Sequence, residues 1–197
     1  SATQMSHNLS VSGGNDKTTY RFSGGFLNEG GNVPDTYFKR YNLNAGLDSK
    51  LGKLFKVGFT AYSSYGEQEI GSQESLRGAF RARPTGTLLY SDLTNPAESK
   101  DRDINGYAYW MGINDAQVPN PLNDIDPLES KFNTKNVTVM GNGYIEFEPL
   151  HGLTFRSSLS ALNTSERQGD WRGQWSKAQI GAKPRVQLDQ RQLESYT

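Results

Sequence analysis

The sequence contains no cysteine and only two histidines. Disulfides and thiolate metal sites are therefore excluded, and His7 and His151, placed at expected strand or turn ends, lack metal-ligand spacing. An excess of charge of either sign is also missing: 21 basic side chains balance 21 acidic ones. No global field draws the chain to nucleic acid. No apolar run approaches the roughly 18–20 residues that a membrane helix needs, and Ser1 to His7 lacks the charged and greasy regions of a signal peptide. The start therefore reads as a mature terminus or an internal cut. Hydrophobic residues make up 34% of the chain, below the roughly 45–50% apolar share of an average globular domain. Little of the chain can be covered on both sides.

What is present is alternation. In Lys17–Glu29, Thr18, Tyr20, Phe22, Gly24 and Phe26 alternate with Lys17, Thr19, Arg21, Ser23 and Gly25. A two-residue period sends successive side chains to opposite faces of a strand. The same period runs through Tyr37–Leu51, where Tyr41, Leu43, Ala45 and Leu47 oppose Arg40, Asn42, Asn44 and Asp48. Leu54–Ile70 sets Phe55, Val57, Phe59 and Ala61 against Lys56, Gly58, Thr60 and Tyr62. Asn136–Glu148 and Gly152–Arg167 continue the pattern, and His7–Gly14 and Arg185–Tyr196 are weaker strands at either side.

The connections come in two lengths. Gly13 to Asp16, Ser49 to Lys53 and Pro149 to Gly152 are short turns rich in residues that tolerate positive φ or break strands. Asn28–Thr36, Gly71–Asn133 and Gly169–Pro184 are long. Short turns at one end and long loops at the other describe an outer-membrane β-barrel. A soluble sandwich explains the alternation but calls for shorter strands and no such asymmetry. The expected fold is all-β: an antiparallel transmembrane barrel segment of about seven strands, too few to close alone, with long extracellular loops. Residues 1–197 form one partial barrel domain, and 71–133 form a loop insertion carrying a short helix. That helix is expected over Glu74–Arg83, packed by the apolar edge of Leu76, Ala79 and Phe80, with Arg77, Arg81 and Arg83 solvated.

No catalytic arrangement emerges, and an enzyme is not expected. The long loop opens one metal-like pattern at Asp101, Asp103 and Asn105 followed by Gly106, the start of a calcium loop. Its twelfth position is Gly112 rather than an acid, so calcium needs Asp115, Asp124 or Asp126 to fold back; a polar turn explains the pattern without metal. No other cofactor is implied. Tyr107, Tyr109, Trp110, Trp171 and Trp175, with Arg172, suit stacking on sugars or peptide side chains, and packing against one another is the plainer reading.

His7 to Gly14, Tyr20 to Ser23, Glu29-Gly30 and Phe38 to Leu43 together resemble the SusC/RagA family of TonB-dependent outer-membrane transporters. Asn105-Gly106-Tyr107, Asn120-Pro121-Leu122, Gly141 to Pro149 and Gly152 to Ser157 follow in the order and approximate spacing of the first part of that family's barrel. The resemblance covers most of the chain. It implies a roughly 22-stranded barrel around a plug, a SusD-like surface lipoprotein as lid, and uptake of glycan fragments or peptides driven through the TonB complex. This sequence shows no plug, no TonB box and no later strands, so it is not expected to transport alone, and TonB contact falls to the missing N-terminal part. The outer membrane of a Gram-negative, Bacteroidota-like bacterium is implied as its location.

Apolar faces then meet outer-membrane lipid, while Arg21, Arg40, Asp48, Lys56, Asn142, Glu146 and Arg156 face the lumen as packing and hydration partners. Two other readings stand beside this one. A soluble β-rich carbohydrate-binding module would use Trp110, Trp171 and Trp175 as its platform; a non-transporting barrel would use its long loops for docking or adhesion.

Overall fold

The structure is a computed structural model, described here for residues 2–82, 120–179 and 182–197. Seven antiparallel strands form one sheet in the order of the sequence. They are β1 (Gln4–Gly14), β2 (Thr18–Gly30), β3 (Tyr37–Leu51), β4 (Phe55–Glu69), β5 (Ser130–Leu150), β6 (Leu153–Arg172) and β7 (Arg185–Tyr196). Each strand pairs with the next, so the β1–β2, β3–β4 and β5–β6 turns gather at one end and the long connections at the other. The turns close as their residues dictate. Asn15 Oδ1 accepts hydrogen bonds from the Lys17 and Thr18 amides at 2.9 Å each, and Gly52 and Gly152 supply the positive φ that a side chain resists.

Strands β3 and β7 have the bounds read from the sequence, and β4 nearly so. The two long hairpin strands overrun theirs: β5 begins at Ser130 and β6 ends at Arg172, with 21 and 20 residues respectively. Polar alternation continues there after the apolar partners stop, so a reading guided by hydrophobicity ends the strands too soon. His7 lies inside β1, not at its end. Trp171 and Arg172 belong to β6, not to the loop after it.

Register fixes the two faces. The row Val11–Phe22–Ala45–Ala61–Gly141–Ala161 crosses six strands, and the adjacent row Ser12–Arg21–Gly46–Thr60–Asn142–Ser160 points the other way. All apolar sets named above fall on the first side. Among the described residues nothing covers that side: Leu9 is 74% exposed, Leu43 66% and Phe155 59%. The largest fully buried side chains of the described residues are instead Asn120, Asn123, Ser75 and Ser176. A water-soluble sandwich would lay a second sheet over such a face; here greasy side chains point outward and the packed interior is polar. An exposed apolar surface this continuous marks an interface with lipid or protein. No helix among the described residues is long and apolar enough to cross a membrane.

The single α-helix described, α1 (Gln73–Arg81), is capped by Ser72, whose side chain accepts from the Glu74 amide. Its packing reverses the expectation. Ser75 and Gly78 are buried, whereas Leu76 is 55% exposed and Phe80 91%. A Cβ built on Gly78 would stand 3.2 Å from Pro121, so the helix rests on its small side. Close approach, rather than hydrophobicity, selects the buried edge. Arg83 lies outside the described residues.

Candidate functional site

Two arrangements carry chemistry: the polar side of the sheet and a buried cluster at its rim, the end that carries the long connections. Register places Arg21, Arg40, Asp48, Lys56, Asn142, Glu146 and Arg156 on one face, opposite the apolar rows. Arg21 and Asn142 share a row, where Asn142 Nδ2 donates to Ser160 Oγ at 2.6 Å. Arg40 stands farther along β3, beside Leu27 and Gly66.

Four of the seven surround a residue that the sequence reading left out of the site. Tyr144 on β5 lies over Gly58 on β4 and donates its hydroxyl to Asp48 Oδ1 on β3. A Cβ at Gly58 would collide with both the ring and the carboxylate. Lys56 Nζ sits 5.4 Å and Arg156 Cζ 4.1 Å from the centre of that ring, within reach of cation–π attraction. Arg156 Nη1 also donates to Glu146 Oε1 at 3.0 Å. Charges and donors are matched within the cluster, which suits a rigid, hydrated wall and offers no activated nucleophile or acid–base pair. The signal that could have found Tyr144 is an aromatic residue paired across strands with glycine.

On the apolar side, aromatic rings form two bands. Phe26, Tyr41 and Tyr65 make one, with ring centroids 4.9 and 6.3 Å apart. Phe55 and Phe147 stack at 4.8 Å in the other, and Phe147 pairs with Phe155. Ten residues of β4 separate Phe55 from Tyr65. At about 3.4 Å per residue and a barrel tilt of about 40°, the bands stand roughly 25 Å apart along the membrane normal, the height of an outer-membrane apolar band with its aromatic girdles.

At that rim three segments converge. Asp124 is 2% exposed. Its Oδ1 accepts from Ser72 Oγ, at the cap of α1, and from the Lys177 amide, in the β6–β7 connection, both at 3.4 Å. Lys177 Nζ reaches back to Glu74 Oε2 at 2.5 Å. Glu129 Oε2 accepts the Trp175 amide at 3.0 Å and its carbonyl accepts the Gly173 amide at 2.8 Å. Burial pushes the Asp124 carboxyl above the ordinary range, against the pull of the Lys177 amide, Arg172 and the Ser72 hydroxyl. Lys177 holds Glu74 below its ordinary value.

Of the six residues expected to stack on solute, three fall within the described residues. Trp171 and Arg172 are neighbours on a strand and point to opposite faces. Trp171 Nε1 donates to the Leu128 carbonyl at 2.7 Å, and Arg172 pairs with Asp170 at 2.7 Å and with Ser130 Oγ at 2.8 Å. Trp175 is half-buried in the rim cluster. Tyr107, Tyr109 and Trp110 lie outside the described residues, as do Asp101, Asp103 and Asn105 of the calcium-like pattern. Two acids that could have folded back to complete it are engaged, Asp124 as above and Asp126 by the Leu128 amide at 2.9 Å. Among the described residues no group of three His, Cys, Asp or Glu could hold a metal ion.

Comparison with known proteins adds identity to this geometry. No protein-family model matches the chain. TonB-dependent receptor P3 of Formosa agariphila is 23% identical over 175 residues, covering 83% of this chain and 16% of that protein. TonB-dependent receptor P26 of the same organism is 25% identical over 152 residues, covering 77% and 14%. Neither is named as an enzyme. Among solved structures, the RagAB peptide importer in its open-open state superposes with a TM-score of 0.62 at 20% identity, over 97% of this chain and 20% of that one. The RagAB peptide transporter gives 0.58 at 22% identity, over 86% and 18%. The chain thus spans only 16% and 14% of the length of these curated relatives. By sequence the chain is similar to proteins named TonB-dependent receptors, and by fold to a stretch of the RagAB importer.

Proposed function

We propose that this chain is wall of a TonB-dependent outer-membrane importer. The observation that carries the reading is the inside-out sheet: an apolar face left open by the described residues and banded by aromatic rings, backed by a polar face on which Arg156 pairs with Glu146 and Tyr144 with Asp48. In hydrocarbon every backbone amide and carbonyl must be paired within the protein, which consecutive antiparallel strands accomplish. The polar side then lines the lumen, with Arg21, Arg40, Asp48, Lys56, Asn142, Glu146 and Arg156 as its hydrated lining. The rim cluster and long connections face the outside. There a SusD-like lipoprotein and the solute meet the protein, and the likeness to an importer of peptides favours peptide over glycan. Energy from TonB enters through parts of the protein beyond this stretch.

Uptake by cells carrying the full-length receptor tests the proposal. Accumulation of labelled peptides that disappears in a TonB deletion strain is the expected result. Accumulation unaffected by that deletion, or a receptor that fractionates without the outer membrane, would overturn it.

A further inference from the structure

The rim cluster joins two connections that are far apart in sequence. The β4–β5 connection contributes Ser72, Glu74 and the turn-rich stretch from Asn120 to Glu129; the β6–β7 connection contributes Gly173 to Gln179. Inside the first, Asp124 receives Ser72, and Gly78 of α1 lies against Pro121. Between the two, the second connection donates and the first accepts. The Lys177 amide goes to Asp124 and its ammonium to Glu74, while the Trp175 and Gly173 amides go to Glu129. A side chain at Gly173 would strike Glu129, so the approach depends on the absence of a Cβ. Ser176, fully buried, donates to the Gly173 carbonyl at 2.8 Å and so holds the second segment in a turn.

These links differ from surface ion pairs in being held from more than one side. Glu74 and Lys177 retain only 27% and 23% side-chain exposure, and the amide of the same lysine is fixed on Asp124. Displacing residues 173–179 would therefore deprive buried Asp124 of a donor and half-buried Glu74 of its cation together, and polar groups left without partners in the interior are costly. Segments linked so open as a unit rather than one by one.

We propose that residues 71–82 with 120–129, from one connection, and 173–179, from the other, form a single mechanical body at the outer rim, clasped at Asp124 and Lys177. Whatever displaces one connection then displaces the other, and the coupling is reciprocal. A solute or protein that touches only the β6–β7 connection is felt at α1.

Hydrogen exchange on the full-length receptor in lipid nanodiscs tests this with two mild variants. Lys177→Met removes the ammonium from the second connection; Glu74→Gln removes its partner's charge from the first. Each variant is expected to speed exchange by about tenfold in the segment of the other connection as well as in its own, with strand residues 137–147 unchanged. Acceleration confined to the connection that carries the substitution would overturn the clasp. If strand protection also fell, the effect would be general destabilisation and would count against it. The readout needs no transport, so it stands apart from the uptake experiment.

Discussion

Tyr144 reaches across an intervening strand to donate its hydroxyl to Asp48, and Gly58 is the gap through which it passes. The bridge spans β3, β4 and β5 and is satisfied in one register only. A slip of one residue would turn every side chain of a strand to the wrong face.

Gly58→Ala is therefore expected to displace the ring and destabilise the barrel by about 1–3 kcal/mol, the usual cost of overpacking. Tyr144→Phe keeps the ring over the strand and removes only the hydroxyl, at about 1.5–3 kcal/mol for a bond to a charged acceptor. Denaturant unfolding of the full-length barrel in detergent ranks the two. Equal stability of Gly58→Ala and wild type would remove the bridge from the account of register.

The strands were legible because lipid and water impose opposite demands on adjacent residues, and a two-residue period survives in any segment that meets both. Phe22 beside Arg21 and Val57 beside Lys56 announce their faces without help from neighbours. Where both faces are polar the period fades, as in Ser130–Asn136 and Gln168–Arg172, and the strand ends were missed. Tyr144 was placed on its face but its role was not visible, because that depends on which glycine lies opposite in the register. The Asp124 cluster was illegible for a related reason: its partners are 52 and 53 positions away along the chain, and loop residues carry no period.

Face assignment has a sharp test in one pair of neighbours. Ala61 lies midway between the aromatic bands on the apolar side and Thr60 beside it on the polar side. Ala61→Arg is expected to cost about 2–4 kcal/mol, as for a cation at the bilayer midplane. Thr60→Arg should cost less than about 1 kcal/mol, since it gains access to water in the lumen. Unfolding of both variants in lipid bilayers measures the difference; a reversed order would exchange the two faces.

The helix offers a contrast between pattern and packing. Phe80 looks like a core residue at helical spacing, yet it is exposed, while Gly78 touches Pro121. Phe80→Ser should leave the protection of residues 120–129 unchanged. Gly78→Val should lower it, because the added methyls must push α1 off Pro121, at about 1–3 kcal/mol. Hydrogen exchange of 120–129 in the two variants decides which edge of the helix is the packed one.

Acidity should act on the clasp in two opposing ways. Burial raises the Asp124 carboxyl above its ordinary value of about 3.9, so the folded cluster holds a proton that the opened one releases. That contribution is complete below the ordinary value and is lost as pH rises through the raised one. Glu74 behaves in reverse. Lys177 lowers it below the ordinary value of about 4.3, so its contribution is present above that value and is lost as pH falls through the lowered one. The groups that face Asp124, namely Arg172 on β6, Glu74 on α1 and Ser72 and Lys177 around it, leave the burial effect dominant. Protection of residues 173–179, corrected for intrinsic exchange, should accordingly rise as pH falls through the raised Asp124 value and fall again as pH drops through the lowered Glu74 value. Asp124→Asn should flatten the neutral side of that profile and Glu74→Gln the acid side. A wild-type profile that declines steadily from neutral pH would mean that ionised Asp124, rather than its protonated form, holds the rim together.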